Sequence, residues 1–261
     1  MDLIILKIGG SVITYKEKRP PRVNFNNLRK IIKQLVGIKK KYVLIHGAGS
    51  FGHQIVKKTG INKGLKNKND LLSFAETQRL QNKLNCIITK ELIKKGVPAF
   101  PCQPSSHAVM KNKRLVKMDL KTLKGLLDLN MIPVLYGVPA YDQKQGCSIL
   151  SGDQIAPYLA KKLKVKKIIM AGDVDGVFTA DPKKNKNAKQ IKEINKNNFR
   201  KVKKMISGSS SIDVTGGMAG KVEELIKITR KGVLVQIIAA VDNNNIRKAF
   251  KGKKEGTLIK Y

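Results

Sequence analysis

Leu3-Ile4-Ile5-Leu6-Lys7-Ile8-Gly9-Gly10-Ser11 decides the fold. An apolar run that carries one lysine and stops at paired glycines reads as a buried strand. It feeds a turn whose backbone can approach an anion. The motif then recurs. Tyr42 to Ile45 is a second apolar run, and it leads into His46-Gly47-Ala48-Gly49-Ser50-Phe51-Gly52-His53. Val97 to Pro101, Ile132 to Tyr136, Lys167 to Met170 and Val233 to Ile238 read as further strands. Leu28 to Leu35 has helical spacing, and Asp70 to Lys95 predicts a long helix. Leu71, Phe74, Leu80, Leu84, Ile87, Ile88 and Leu92 lie on one side of it, and Gly96 is a left-handed cap. Helices near Gln154 to Leu163 and Gly220 to Lys231 lie between the later strands. This alternation predicts an α/β fold with a largely parallel sheet covered on both faces. Phosphate-binding loops then belong at the carboxyl edges of the strands.

The chain has 261 residues, of which 41% are hydrophobic. That suits one large α/β domain or two lobes sharing a sheet. No apolar run reaches the ~18 residues of a membrane-spanning helix, and Met1 to Lys7 does not read as a signal peptide. Cys86, Cys102 and Cys147 are widely spaced, so a reduced, cytoplasmic setting is expected. The net charge of +35 is extreme, but the lysines are dispersed, aromatics are only 5% and tryptophan is absent. The expectation is therefore a set of solvated helix faces, with nucleic acid bound only loosely and without sequence preference. Lys183 to Lys204, rich in lysine and asparagine, reads as a mobile surface connection.

Three glycine stretches carry the chemistry. In the first, Gly9 and Gly10 let phosphate oxygens reach main-chain N–H groups, with Lys7 just before them. Lys16 lies beyond, as a solvated loop lysine or as a charge over a transferring phosphoryl group. The second stretch spells G-x-G-x-x-G after a strand. A dinucleotide fold also wants an acid at the end of the next strand, and Asp70 at about that offset starts a helix instead. His53 opens a helix, where an anion is favoured; His46 reads as a packed strand-end residue, and His107 has no evident partner. The third stretch, Thr215-Gly216-Gly217-Met218-Ala219-Gly220-Lys221, misses the Walker A spacing, and Val222 replaces the magnesium-holding Ser or Thr. Lys221 at a helix start suits a β- or γ-phosphate. Asp153 in Ser151-Gly152-Asp153 would orient lysines, and Gly172 to Phe178 adds Asp173 and Asp175 at a strand end. Three anion loops in one chain suggest an ATP-like polyphosphate meeting a second anionic group.

Together, Lys7 to Ser11, the Gly47 loop, Ser151 to Asp153, Gly172 to Pro182 and Asp213 to Lys221 resemble the amino-acid kinase family, in the family's order and over nearly the whole chain. Within the family, Gly47 to His53 resembles the branch acting on isopentenyl phosphate, and the related fosfomycin kinases. The resemblance implies an αβα sandwich, usually a homodimer. Residues 1–150 would bind the acceptor and residues 151–261 would bind ATP. Lys7, Gly9, Gly10, Ser11, Gly49, Asp173, Gly217 and Lys221 would contact ATP. Lys16 would stabilise the transition state, while Ala48, His53 and Gly152 would contact the acceptor. Phe74 and Ile149 are candidates for an apolar tail pocket. Magnesium is expected on the ATP phosphates, with no dedicated protein ligand cage. The acceptor would be isopentenyl phosphate, with dimethylallyl phosphate a second candidate. A kinase of fosfomycin or another phosphonate would use the same histidine. A basic nucleic-acid-binding or regulatory protein that has kept the fold without activity is the alternative of a different class.

Overall fold

The computed structural model describes residues 3–207 and 217–261. Its strands are β1 Ile4–Ile8, β2 Tyr42–His46, β3 Ala99–Pro101, β4 Ala108–Lys111, β5 Arg114–Met118, β6 Ile132–Tyr136 and β7 Val138–Asp142. Then follow β8 Gly146–Leu150, β9 Lys167–Gly172, β10 Val177–Phe178, β11 Gln190–Ile191, β12 Glu193–Ile194, β13 Leu234–Ala239 and β14 Thr257–Ile259. The helices are α1 Gly10–Ile13, α2 Phe25–Leu35, α3 Gly49–Thr59, α4 Lys68–Ile93, α5 Lys121–Asp128, α6 Gly152–Lys162, α7 Phe199–Ser207, α8 Gly217–Thr229 and α9 Asn245–Phe250.

Eight strands form the central sheet in the order β12-β14-β13-β9-β1-β2-β6-β3. Every neighbouring pair is parallel except β13 with β14. The most apolar stretch thus sits at the centre. β1 pairs with β2 on one side and β9 on the other, with Lys7 opposite Ile45 and Met170. Strand periodicity divides β1 between two cores. Ile4, Leu6 and Ile8 pack with Leu28 and Ile32 of α2, Leu84 and Ile88 of α4 and Phe250 of α9. Ile5 packs on the other face with Leu126 of α5, Ile155 and Leu159 of α6 and Leu225 of α8. Each such side chain contributes about 1.5–3 kcal/mol by leaving water. Lys7 shares the face of Ile5, so the alternation aims it at the layer that contains α6 and α8.

A smaller four-stranded sheet, in the order β5-β4-β7-β8, was not foreseen from the sequence. It forms one wall of the site. The predicted helix at Asp70 begins two residues earlier, because the Asn67 side chain accepts from Asp70 N while the Asp70 carboxylate accepts from Asn67 N. Gly96 ends the following turn at φ +74°, as its cap role requires.

The reading of Lys183 to Lys204 as a loose connection is corrected. It contains β11, β12 and the start of α7, and β12 joins the central sheet beside β14. The few apolar residues are well spaced. Ile194 is fully buried, and Val202 and Ile206, one helical turn apart, enter the core. Low apolar content concealed a correctly phased apolar stripe. No helix among the described residues is long and apolar enough to cross a membrane.

Candidate active site

The parallel strands β1 and β2 end side by side, so their glycine turns meet. A Cβ on Gly10 would fall 2.7 Å from the Gly49 Cα, and one on Gly49, at φ +53°, would fall 2.9 Å from the Gly10 carbonyl. Only glycines allow the crossing. Thr14 locks it: its hydroxyl donates to the Gly10 carbonyl at 2.9 Å and accepts from Ser50 N at 2.9 Å. Gly9 N donates to the Ala171 carbonyl at 2.8 Å, tying the first turn to β9. Ser11 is exposed on α1.

The two loop histidines separate as expected. His46 is buried and stacks on Tyr136 with centroids 5.3 Å apart. Asn85 Nδ2 lies 3.1 Å from its Nε2, and the Gly47 carbonyl lies 3.1 Å from its Nδ1. An amide N–H can only donate, so Nε2 accepts and Nδ1 carries the proton. Burial then holds the ring neutral, with its pKa down at about 4, against the smaller raising effect of the Gly47 bond. His53, in the first turn of α3, is exposed and lines a cavity instead.

That cavity has a volume of about 310 Å³, at the small end for ligand pockets. Ala48, His53 and Val56 of the α3 segment line it, together with Ile149 of β8. Ser151, Asp153 and Lys221 also line it. Behind it, a Cβ on Gly137 would lie 3.6 Å from both Ala48 N and Gly152 N. The starts of α3 and α6 therefore bring two main-chain N–H groups together. Helix N-termini carry a partial positive charge and unpaired main-chain donors, which favour an anion.

Lys7 projects from β1 into this wall. Its Nζ lies 3.0 Å from Asp153 Oδ1, and its side chain is 9% exposed. Burial would raise the Asp153 carboxyl, but the ammonium groups of Lys7 and Lys221 outweigh that and hold it below the ordinary carboxylate range. Lysines from β1 and α8 are thus gathered on one carboxylate at the start of α6. Gly217 opens α8; Asp213 to Gly216 lie outside the described residues.

A second charged group stands off the cavity. Asp173 pairs with Lys183 at 2.8 Å. Burial raises its carboxyl, but Lys183, and then Lys16, bring it down. Lys16 is exposed, and its carbonyl accepts from Gln54 Nε2 of α3 at 3.1 Å. Asp175 is structural, accepting from Ala239 N at 3.0 Å and Asn245 Nδ2 at 3.1 Å. Phe74 is not in the cavity wall. The α4 residues there are Thr77 and Gln81, one and two turns further on. Also in the lining, Arg114 of β5 makes a two-pronged ion pair with Glu224 of α8.

Thr14, Gly137 and Gln81 escaped the sequence reading. Gly137 had a usable signal, a glycine directly after a buried strand, as at Gly9 and Gly47. Thr14 and Gln81 had none, because their roles depend on segments remote in sequence.

A model of the amino acid kinase family matches residues 2–239. The chain is 35% identical to the isopentenyl phosphate kinase of Methanothermobacter thermautotrophicus, over 98% of each chain. It is 39% identical to that of Methanocaldococcus jannaschii, over 99% of each. Among solved structures, an isopentenyl phosphate kinase superposes with a TM-score of 0.86 at 34% identity, covering 98% of this chain and 99% of that one. A product complex of the Thermoplasma acidophilum enzyme gives 0.81 at 27%, covering 99% and 100%.

Proposed function

This chain belongs to the amino acid kinase family, and on that basis we propose that it transfers the γ-phosphoryl group of ATP to isopentenyl phosphate, forming isopentenyl diphosphate and ADP. Full-length similarity to isopentenyl phosphate kinases supports the acceptor. The observation that carries the reading is the cavity itself: Ala48, His53, Ser151, Asp153 and Lys221 border one small space, and Lys7 reaches it through its ion pair with Asp153. Residues 1–150 supply most of its acceptor side, joined by Gly152, and residues 151–261 most of its nucleotide side, joined by Lys7, Gly10 and Gly49. Dimethylallyl phosphate is a second acceptor of the same size.

The reaction needs no general base. A phosphate monoester has a second pKa near ~6, so its attacking oxygen is already deprotonated at neutral pH. That oxygen bonds to the γ-phosphorus while the bond to the β–γ bridging oxygen breaks, and ADP departs with that electron pair. Charge neutralisation and alignment are the remaining tasks. Ala48 N, Gly152 N and His53 hold the acceptor phosphate. Lys7 and Lys221 face the transferring group, and Asp153 fixes their positions. Lys16 adds charge from the α1–α2 loop, and the transition state is expected to be loose. The crossing at Gly10 and Gly49 packs backbone against backbone, so the two turns sit side by side, where a polyphosphate would meet the main-chain N–H groups of both. Magnesium fits as a cation carried on nucleotide oxygens, because Asp153 and Asp173 are already engaged by lysines. It would neutralise charge on the phosphates. A homodimer in a cytoplasmic setting completes the reading.

His53→Ala tests it. Turnover of isopentenyl phosphate should fall at least about 100-fold, with ATP binding retained. Turnover within a factor of about two of wild type would remove His53 from the acceptor site.

A further inference from the structure

Helix α4 carries a buried polar stripe, Thr77, Gln81 and Asn85, each one turn from the next. The outer two members are satisfied within the protein. Thr77 donates to the Ser73 carbonyl at 2.7 Å. Asn85 bonds His46 Nε2 at 3.1 Å and donates to the Val134 carbonyl at 3.3 Å. The neighbouring Asn82 is also engaged, by Tyr136 and by Gln103 at 3.0 Å. Gln81 is different. It is 0% exposed, it lines the cavity, and neither Nε2 nor Oε1 has a hydrogen-bond partner among the described residues. Its head lies against Gly52, the residue before His53, where a Cβ would collide with Nε2.

Burying an amide with both its donor and its acceptor unmet is destabilising. A hydrocarbon tail in the cavity would leave both unmet. A phosphate oxygen would serve the N–H alone and repel Oε1. A hydroxyl serves both, since it donates and accepts, and it does so whichever way the amide is turned. We propose that Gln81 is a specificity-determining residue whose carboxamide recognises a hydroxyl on the acceptor, so that the site takes hydroxylated short-chain alkyl monophosphates alongside the alkene. This rests on the acceptor site proposed above.

The test compares two acceptors in wild type and Gln81→Leu, with Gln81→Met as an unbranched second variant. One acceptor is isopentenyl phosphate. The other is 3-hydroxy-3-methylbutyl phosphate, the alcohol formed by adding water across its double bond. The kcat/KM ratio of alcohol to alkene should fall about tenfold or more in both variants. Their melting temperatures should be no lower than wild type, because an unpaired buried amide is replaced by an apolar group. An unchanged ratio overturns the proposal, and so does an equal loss on both acceptors, which would assign the amide to the phosphate. A lowered melting temperature with an unchanged ratio would make Gln81 structural. Wild-type turnover of the alkene alone, with no ratio to measure, overturns this proposal but leaves the kinase reading standing; silence on both acceptors removes both.

Discussion

Lys7 shows how much one strand position can determine. Two-residue periodicity sends it to the face of α6, and Asp153 waits there at 3.0 Å. Breaking a pair this sheltered leaves an uncompensated charge. Asp153→Ala should therefore lower stability by about 2–4 kcal/mol, reduced from the fully buried case by the partial exposure of the carboxylate. Denaturant titration would detect it, and a change under about 0.5 kcal/mol would contradict the pairing. The depressed Asp153 carboxyl fixes the sign of its pH effect. Its contribution is complete above the unfolded value near ~3.9 and is lost as pH falls through the lower folded value. His46 acts in a higher window. Its folded pKa of about 4 lies below the unfolded value of 6.5. Between these the unfolded chain binds the extra proton, so stability should fall as pH drops from about 6.5 to about 4, by on the order of 3 kcal/mol. His46→Gln should flatten that acid slope; an unaltered slope would mean the ring is not held neutral. Two histidines around one glycine loop could be told apart in sequence, because one ends a buried strand and the other starts a helix. Thr14 and Gln81 could not, since their surroundings are assembled only by folding.

Among elements, the strand ends were the most legible part. Apolar runs terminated by glycine announce a buried parallel strand and the tight turn that follows it. The crossing of two such turns was not legible, since it requires knowing that β1 and β2 are neighbours. Gly10→Ala tests the crossing. Its methyl group would meet the Gly49 backbone, which cannot rotate away as a side chain could. The variant should lose ATP binding and melt at lower temperature, with near-normal ATP affinity counting against a shared cradle. Helix α4 gave a smaller lesson. Phe74 lies on the correct stripe but one turn before Thr77, about 4.5 Å along the axis. Periodicity gives the face of a helix, whereas the axial level of a pocket depends on how the helix docks. The lysine-rich segment ending in α7 failed for a related reason: composition was averaged where the phase of Ile194, Val202 and Ile206 decided the outcome.

For the whole molecule, alternating strands and helices gave the central sheet, but not the four-stranded sheet that forms one wall of the cavity. Its strands are short, and their partners come from separate parts of the chain. The net charge of +35 acts at this scale. Ion pairs among the described residues each join one positive and one negative group and leave that excess in place, so the folded chain repels itself. Screening is substantial once the Debye length contracts to about 8–10 Å. Raising NaCl from about 10 mM to about 150 mM should raise the melting temperature; a fall would show that local pairs outweigh the repulsion. Binding to RNA or DNA should weaken steeply over the same salt range.

The central claim concerns the acceptor, and ADP release with magnesium and ATP tests it most directly. The acceptors would be isopentenyl phosphate, dimethylallyl phosphate, fosfomycin, glutamate, acetylglutamate and UMP. The prediction is a kcat/KM for isopentenyl phosphate at least about 100-fold above those for fosfomycin, the two amino acids and UMP. Preferred turnover of fosfomycin, an amino acid or UMP, or none with isopentenyl phosphate, would contradict it.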